Sequence, residues 1–329
     1  MGDIMPPSVP TKLALICPSF SDRFARQPPR MPALERLLAY SDVPSQSVTP
    51  ARELDTWQHE LGQALGLTDM TCYPSAPLTW LGAGGNREPG TWLHADPAVQ
   101  AISAHGLTMR PSVAWTAQSF AVVESLVRDH LAADLMQLRS IGEHAMLQIK
   151  TTIDVRTTTL FQASQMEIQE ALPTGPSATS VRRVMNELQM LLHEKFDTAV
   201  PDTVSPNAIW LWGAGEIPSL AELELPSMWT NDDYTRGIYI AHGAAARCAP
   251  LSTVDAVLTQ SQHSNLLAVV RACDPEQLEK QWFEPLLHAL DQGRLSTVDI
   301  YLDGWQLRAK RSLMRRMFAR PRPLAEWMQ

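Results

Sequence analysis

His94-Ala95-Asp96 sets an imidazole and a carboxylate two residues apart. On a strand, positions i and i+2 face the same side, so the two would point together into one cleft. Such a pair can move a proton or supply two metal ligands. It can equally cap a strand end, with Asp96 bonding the turn that Pro97 begins. Asn186, Gln189 and His193 fall at i, i+3 and i+7 and share one face of a helix. They carry donors and acceptors but no fixed charge at neutral pH, which suits hydrogen bonding to a loop backbone or a polar ligand. In Trp210-Leu211-Trp212-Gly213-Ala214-Gly215, alternation sends both indoles to one face, where they can stack a ring or a sugar or fill a core. Gly213 and Gly215 let the backbone turn sharply or approach another group closely.

The candidate ligand-binding set is therefore His94, Asp96, Asn186, Gln189, His193, Trp210, Trp212, Gly213 and Gly215. No catalytic residue is assigned and no metal or cofactor is expected. The nine histidines are scattered singly, and no HExxH or paired-carboxylate spacing is present. Gly82-Ala83-Gly84-Gly85 lacks the lysine and the pattern of a phosphate-binding loop and runs into Asn86-Arg87-Glu88-Pro89-Gly90, so it reads as a turn.

The elements that must hold these residues follow from periodicity. Residues 1–11 are Pro-rich and read as a flexible arm. Lys12–Cys17 reads as a buried strand, and Pro32–Ala39 and Arg52–Leu67 as helices, the second with Leu54, Trp57, Leu61 and Leu65 on one side. Residues 68–90 read mostly as loop. Trp92–Ala95 is a short strand stopped by Pro97. A helix is expected from Gln118 to Leu131, then a hairpin of Met136–Arg139 and Ala145–Ile149 around Gly142-Glu143. The Thr-rich stretch at 151–160 marks a boundary between two subdomains, 12–155 and 156–310. Ser180–Glu194 is amphipathic. Its polar face is expected against the Trp210–Gly215 turn, because burying Asn186, Gln189 and His193 unpaired would cost ~1–3 kcal/mol each. Strands are read at Ala208–Trp212, Gly237–Ala241, Leu266–Ala272, Val298–Leu302 and Trp305–Ala309. The helix that follows Asp274-Pro275 should kink at Pro285 or split in two there. The sum is an α/β protein with a mixed β-sheet and flanking helices.

Composition bounds the function classes. The 329 residues are 45% hydrophobic and 19% charged, enough for a sizeable core. No apolar run approaches the ~20 residues of a membrane helix, and the N-terminus lacks the order of a secretory signal. Cys17, Cys72, Cys248 and Cys273 are far apart and read as free thiols in a reducing, cytoplasmic compartment. The formal net charge is −8. Seven bases lie between 308 and 322 with no acid among them: Arg308, Lys310, Arg311, Arg315, Arg316, Arg320 and Arg322. With those seven set aside, the rest of the chain stands at −15. An acidic body with a basic tail at 311–329 can contact an acidic partner or phosphate, or dock on its own body.

Leu172-Pro173-Thr174-Gly175, Asn186–His193, Asn207, Trp210–Gly215 and Pro218 occur in series, with Ala95-Asp96-Pro97 before them and Arg320-Pro321-Arg322-Pro323-Leu324 after. That series resembles the RpfE-type regulatory proteins of proteobacteria, a family often labelled cofactor-independent phosphoglycerate mutase. The resemblance implies a distant relation to the alkaline-phosphatase-like fold. Two departures stand out. Ala98-Val99 replaces the family's Val-His, and Ala214 interrupts its glycines. A metal-dependent mutase needs two metal ions, several Asp and His ligands, and a serine nucleophile. Its first strand should run into Asp-Gly, and here it runs into Ile16-Cys17-Pro18. The sequence therefore reads as a non-catalytic regulatory protein binding a small polar ligand or a protein partner. The alternative is a mutase-like or phosphohydrolase-like enzyme with a degenerate metal site.

Overall fold

The computed structural model describes residues 11–20, 28–42, 45–46, 54–103, 106–131, 136–196, 206–260, 264–271, 274–310 and 320–327. Apart from residue 11, the arm read over 1–11 lies outside them, as do Cys273, Arg311, Arg315 and Arg316.

The strands, in chain order, are β1 (Lys12–Cys17), β2 (Ser45–Gln46), β3 (Thr91–Ser103), β4 (Gly106–Pro111), β5 (Met136–Ile141), β6 (His144–Ile149), β7 (Ala208–Gly215), β8 (Ser227–Thr230), β9 (Cys248–Ala249), β10 (Asn265–Val269), β11 (Thr297–Leu302) and β12 (Trp305–Lys310). The helices are α1 (Pro32–Tyr40), α2 (Thr56–Leu65), α3 (Ser75–Gly82), α4 (Ala117–His130), α5 (Leu160–Ala163), α6 (Ile168–Ala171), α7 (Ala178–Phe196), α8 (Asp233–Ala241), α9 (Val254–Gln260), α10 (Pro275–Leu278), α11 (Glu284–Gln292) and α12 (Leu324–Trp327).

Two sheets organise the chain. The larger runs β2-β12-β11-β1-β10-β8-β9, with β11, β1, β10, β8 and β9 parallel and β12 and β2 antiparallel at one edge. The smaller is antiparallel, β4-β3-β6-β5, with β7 on the other edge of β3. The fold is mixed α/β. Period-2 alternation explains why the large sheet is covered on both faces. Leu13, Leu15 and Cys17 enter the core under α1, α10 and α11, while Ile16 enters the core under α2, α3 and α8. Leu266 and Ala268 against Leu267 and Val269 repeat the pattern on β10. One face of the small sheet, through Leu93, Ala95, Leu147 and Leu211, packs on α4 and α7.

Both sheets draw strands from either side of residue 155. β1 pairs with β10 and β11, and β3 pairs with β7. The Thr-rich stretch itself runs beneath β7, where Thr157 Oγ1 accepts from Gly213 N at 2.9 Å and Thr158 O accepts from the Trp210 indole at 2.8 Å.

Several local expectations are corrected. Residues 68–90 hold α3, which is buried along its whole length and so shows no amphipathic period. Gly237–Ala241 is the end of α8, started by Asp232, whose side chain accepts from Thr235 N at 2.7 Å. β3 continues through Pro97 to Ser103. On one edge its partner changes from β6, which ends at His94, to β4, which begins at Ala98. Pro97 falls in that gap, where no neighbour needs its missing N–H. The kink expected at Pro285 takes the form of a π-helical turn, Glu279–Phe283, directly ahead of α11.

Candidate functional site

β3 alternates Trp92, His94 and Asp96 toward α3 against Leu93 and Ala95 toward the small-sheet core. The pair read from sequence thus shares a face. β7 lies antiparallel beside it, with Trp212 opposite His94 and Trp210 opposite Asp96. The Trp212 and His94 rings stack at 4.2 Å with 21° between planes. The Trp212 indole N–H donates to Asp96 Oδ2 at 2.6 Å. Gly213, at φ +68°, is what brings the strands and α3 this close. A Cβ there would lie 2.9 Å from His94 Cδ2 and 3.0 Å from Ser75 Cβ. At Gly215 a Cβ would lie 2.4 Å from Pro74 Cβ.

α3 supplies the next group. Ser75 opens the helix, and its Oγ lies 3.1 Å from His94 Nε2. Gln58 Nε2 of α2 donates to the same oxygen at 3.2 Å. The serine hydroxyl is therefore left to donate to an unprotonated His94 Nε2. Burial, with the nearby His144 and Arg271, depresses His94 to about 3, so the ring is neutral at physiological pH. Burial also lifts Asp96 to about 6, against the opposing pull of the Trp212 N–H.

α8 closes the other side. It approaches α3 so tightly that a Cβ on Gly237 would lie 1.9 Å from Leu78 O, and one on Gly82 1.8 Å from Asp233 O. This contact carries Asp232 and Asp233 to the cluster. His144 Nε2 meets Asp233 Oδ2 at 2.9 Å, and Arg236 Nη1 holds the other oxygen of Asp233 at 2.6 Å. Arg271, just past β10, donates to Asp232 Oδ2 at 2.7 Å and lies 5.1 Å over the Trp57 ring. The result is a cavity of about 250 Å³ between the two sheets. Its walls include Trp57, Ser75, His94, Asp96, Trp212 and Arg271, with Asp55, Glu143, His144, Asp232 and Tyr234 around them. Ser75 also borders a wider cleft of about 770 Å³ on its far side, lined by Tyr73, Pro74, Arg156 and Thr157.

Of the residues read from sequence, His94, Asp96, Trp212 and Gly213 meet here. Trp210 is buried, its indole on Thr158 O, and Gly215 packs on Pro74. Asn186 and His193 do not converge with them. α7 meets the small sheet through Val181, Val184, Leu188 and Leu192, and Asn186 and His193 lie on its exposed side. Gln189 reaches inward only as far as the Gln100 side chain on β3. The apolar stripe of α7, not the polar one, faces the small sheet, because it holds the larger gain on burial. Sequence reasoning missed Ser75, Gln58, His144, Asp232 and Arg271. Glu143-His144 was visible only as a hairpin turn, and Ser75 lay in a segment read as loop.

A metal-dependent mutase would need two metal ions held by several Asp and His ligands. Among the described residues no three His, Cys, Asp or Glu side chains are grouped to hold an ion. His94 is spent on Ser75, His144 on Asp233, and Asp232 on Arg271 and the α8 cap. The described residues do not fit a two-metal centre.

Fold and site together define a two-sheet, mixed α/β protein with a polar, aromatic-walled cavity at the sheet junction. No family model matches the chain, and no curated protein matches it. Solved structures similar to it over nearly its whole length include these two. One is a cofactor-independent phosphoglycerate mutase from Thermoplasma acidophilum DSM 1728, 14% identical, with a TM-score of 0.42 over 96% of this chain and 93% of that one. The other is the PH0037 protein from Pyrococcus horikoshii, 10% identical, with a TM-score of 0.44 over 92% of this chain and 87% of that one. No helix among the described residues is long and apolar enough to cross a membrane.

Proposed function

We propose that the protein is a non-catalytic regulatory protein that binds a small polar ligand in the cavity between its sheets. One observation carries the reading: His94, Asp96 and Trp212 form a hydrogen-bonded, stacked cluster that opens on a cavity of about 250 Å³ at the sheet junction. Ligand sites favour such junctions, with apolar walls and a few convergent polar groups. The volume suits a ligand smaller than a drug-sized molecule.

A specific contact favours a second reading, a mutase-like or phosphohydrolase-like enzyme. Ser75 and His94 have the separation of a nucleophile and its base. The chemistry weighs against it. A general base works best near the operating pH, and His94 is held at about 3. Its serine is already engaged by Gln58. The exposed Arg320 and Arg322 of the basic tail belong to the same proposal as the contact for an acidic partner or phosphate.

The test pairs a thermal-shift screen of small polar metabolites with a turnover assay on 2- and 3-phosphoglycerate and on p-nitrophenyl phosphate, with and without added manganese. The expected result is a saturable rise in Tm with at least one compound, lost in Trp212→Ala, and no turnover. Turnover abolished by Ser75→Ala would establish the enzyme reading instead.

A further inference from the structure

We infer that the cavity takes a small ligand bearing an ammonium group, with Asp96 and Glu143 as its counter-charges. This rests on the ligand-binding reading above and adds the ligand's chemical class.

The inference comes from matching the charges around the cavity. Asp232 is neutralised by Arg271 at 2.7 Å, and Asp233 faces His144 at 2.9 Å and Arg236 at 2.6 Å. Asp55 is committed to the fold. It caps α2 through a capping box and takes the Thr159 hydroxyl at 2.6 Å. Asp96 and Glu143 remain. Asp96 has the Trp212 indole N–H but no ion pair, and Glu143 sits at the β5–β6 turn, also with no ion pair among the described residues. An anion entering here would meet Asp55, Asp96 and Glu143, with the Arg271 guanidinium of the wall already bonded to Asp232. A neutral polyol would leave the Asp96 carboxylate without a counter-charge in a partly dry space, with exposed Glu143 adding negative charge beside it. An ammonium group pairs with them and is also attracted by aromatic faces. The cavity contains its own precedent: the Arg271 guanidinium lies over the Trp57 ring while bonded to a carboxylate.

Three four-carbon probes of matched length separate the possibilities: 1,4-diaminobutane, butane-1,4-diol and succinate. Binding is read by calorimetry and by tryptophan fluorescence, since Trp212 reports on Asp96. The expected result is saturable binding of the diamine alone. Asp96→Asn, which keeps an acceptor for the Trp212 N–H, should weaken it by about 10- to 100-fold, the range of a charge-assisted hydrogen bond. Glu143→Gln, on an exposed turn, should weaken it less and leave Tm unchanged. Circular dichroism and Tm of the Asp96→Asn protein confirm that it is folded. Binding of succinate, or of the diol as tightly as the diamine, overturns the ammonium class while leaving a ligand site in place. Binding of none of the three at millimolar concentration also overturns it. The metabolite screen then decides separately whether the cavity binds anything.

Discussion

At the scale of single residues, two carboxyls, Glu60 and Asp96, each have their pKa raised by burial against the pull of one N–H donor. Glu60 on α2 is fully buried; its Oε1 accepts from Gly304 N at 2.7 Å, and its Oε2 has no hydrogen-bond partner. Burial, with nearby Asp303, pushes it to about 8 despite the Gly304 bond. A carboxyl with a raised folded-state pKa gives full stability below its unfolded value near 4.5 and loses it as pH rises through 8. At ~1.4 kcal/mol per pKa unit the loss is on the order of 4 kcal/mol. Glu60→Gln should therefore melt roughly 5 °C above the native protein at pH 8.5 and close to it at pH 5. A lower Tm for the variant at pH 8.5 would show that the carboxylate is accommodated. Asp96 is held up by burial and pulled down by the Trp212 N–H. Trp212→Phe keeps a ring against His94 and removes only the donor. The Asp96 carboxyl should then titrate higher than in the native protein, measured by carbon-detected NMR; an unchanged or lower value would mean the indole bond does not form in solution.

At the scale of elements, legibility tracked amphipathicity. β1, β10 and β11 were readable because their alternate residues feed two different cores, and α4 because one stripe alone is buried. α3 was unreadable for the opposite reason: Ala76, Leu78, Trp80 and Leu81 are all buried, so its sequence has no period to detect. The Gly-Ile-Tyr-Ile-Ala end of α8 is rich in branched and aromatic residues and reads as strand, and only the Asp232 cap and the contact with α3 make it helical. Among the described glycines, those of this contact have the closest neighbours. A Cβ at Gly237 meets a backbone carbonyl that cannot rotate aside, so Gly237→Ala should cost about 3 kcal/mol in urea unfolding. Gly66→Ala, at φ +74° with open space around it, should cost only about 1 kcal/mol. Equal losses would mean that α3 and α8 can separate without penalty, and the position of Asp232 and Asp233 would no longer follow from the glycines.

At the scale of the whole molecule, the sheets could not be read because partners lie far apart in sequence. Lys12 pairs beside both Asn265 and Thr297, and His94 beside Trp212. Local pattern carries no information on such pairings, so His94 and Asp96 were legible as a pair while Ser75, His144 and Arg271 were not. Charge was legible in total but not in placement. Arg308 and Lys310 belong to β12 rather than to a separate tail. Arg308 makes a two-pronged bond to Asp299 at 2.6 and 3.0 Å, and Lys310 reaches Asp42 at 3.3 Å. Arg320 and Arg322 are exposed. The two halves of the basic run should therefore respond differently to charge reversal. Exposed ion pairs are worth at most ~1 kcal/mol each, so Arg308→Glu should lower Tm by a degree or two through repulsion from Asp299. Arg320→Glu with Arg322→Glu should leave Tm within about 1 °C, because neither side chain is buried. If the run contacts an acidic partner or phosphate, the double variant should elute earlier from a polyanion column, and the difference should shrink as salt rises above ~0.15 M. A large loss of Tm in the Arg320, Arg322 double variant would instead mark the segment as docked on the acidic body. Unchanged elution would remove those two residues from the contact.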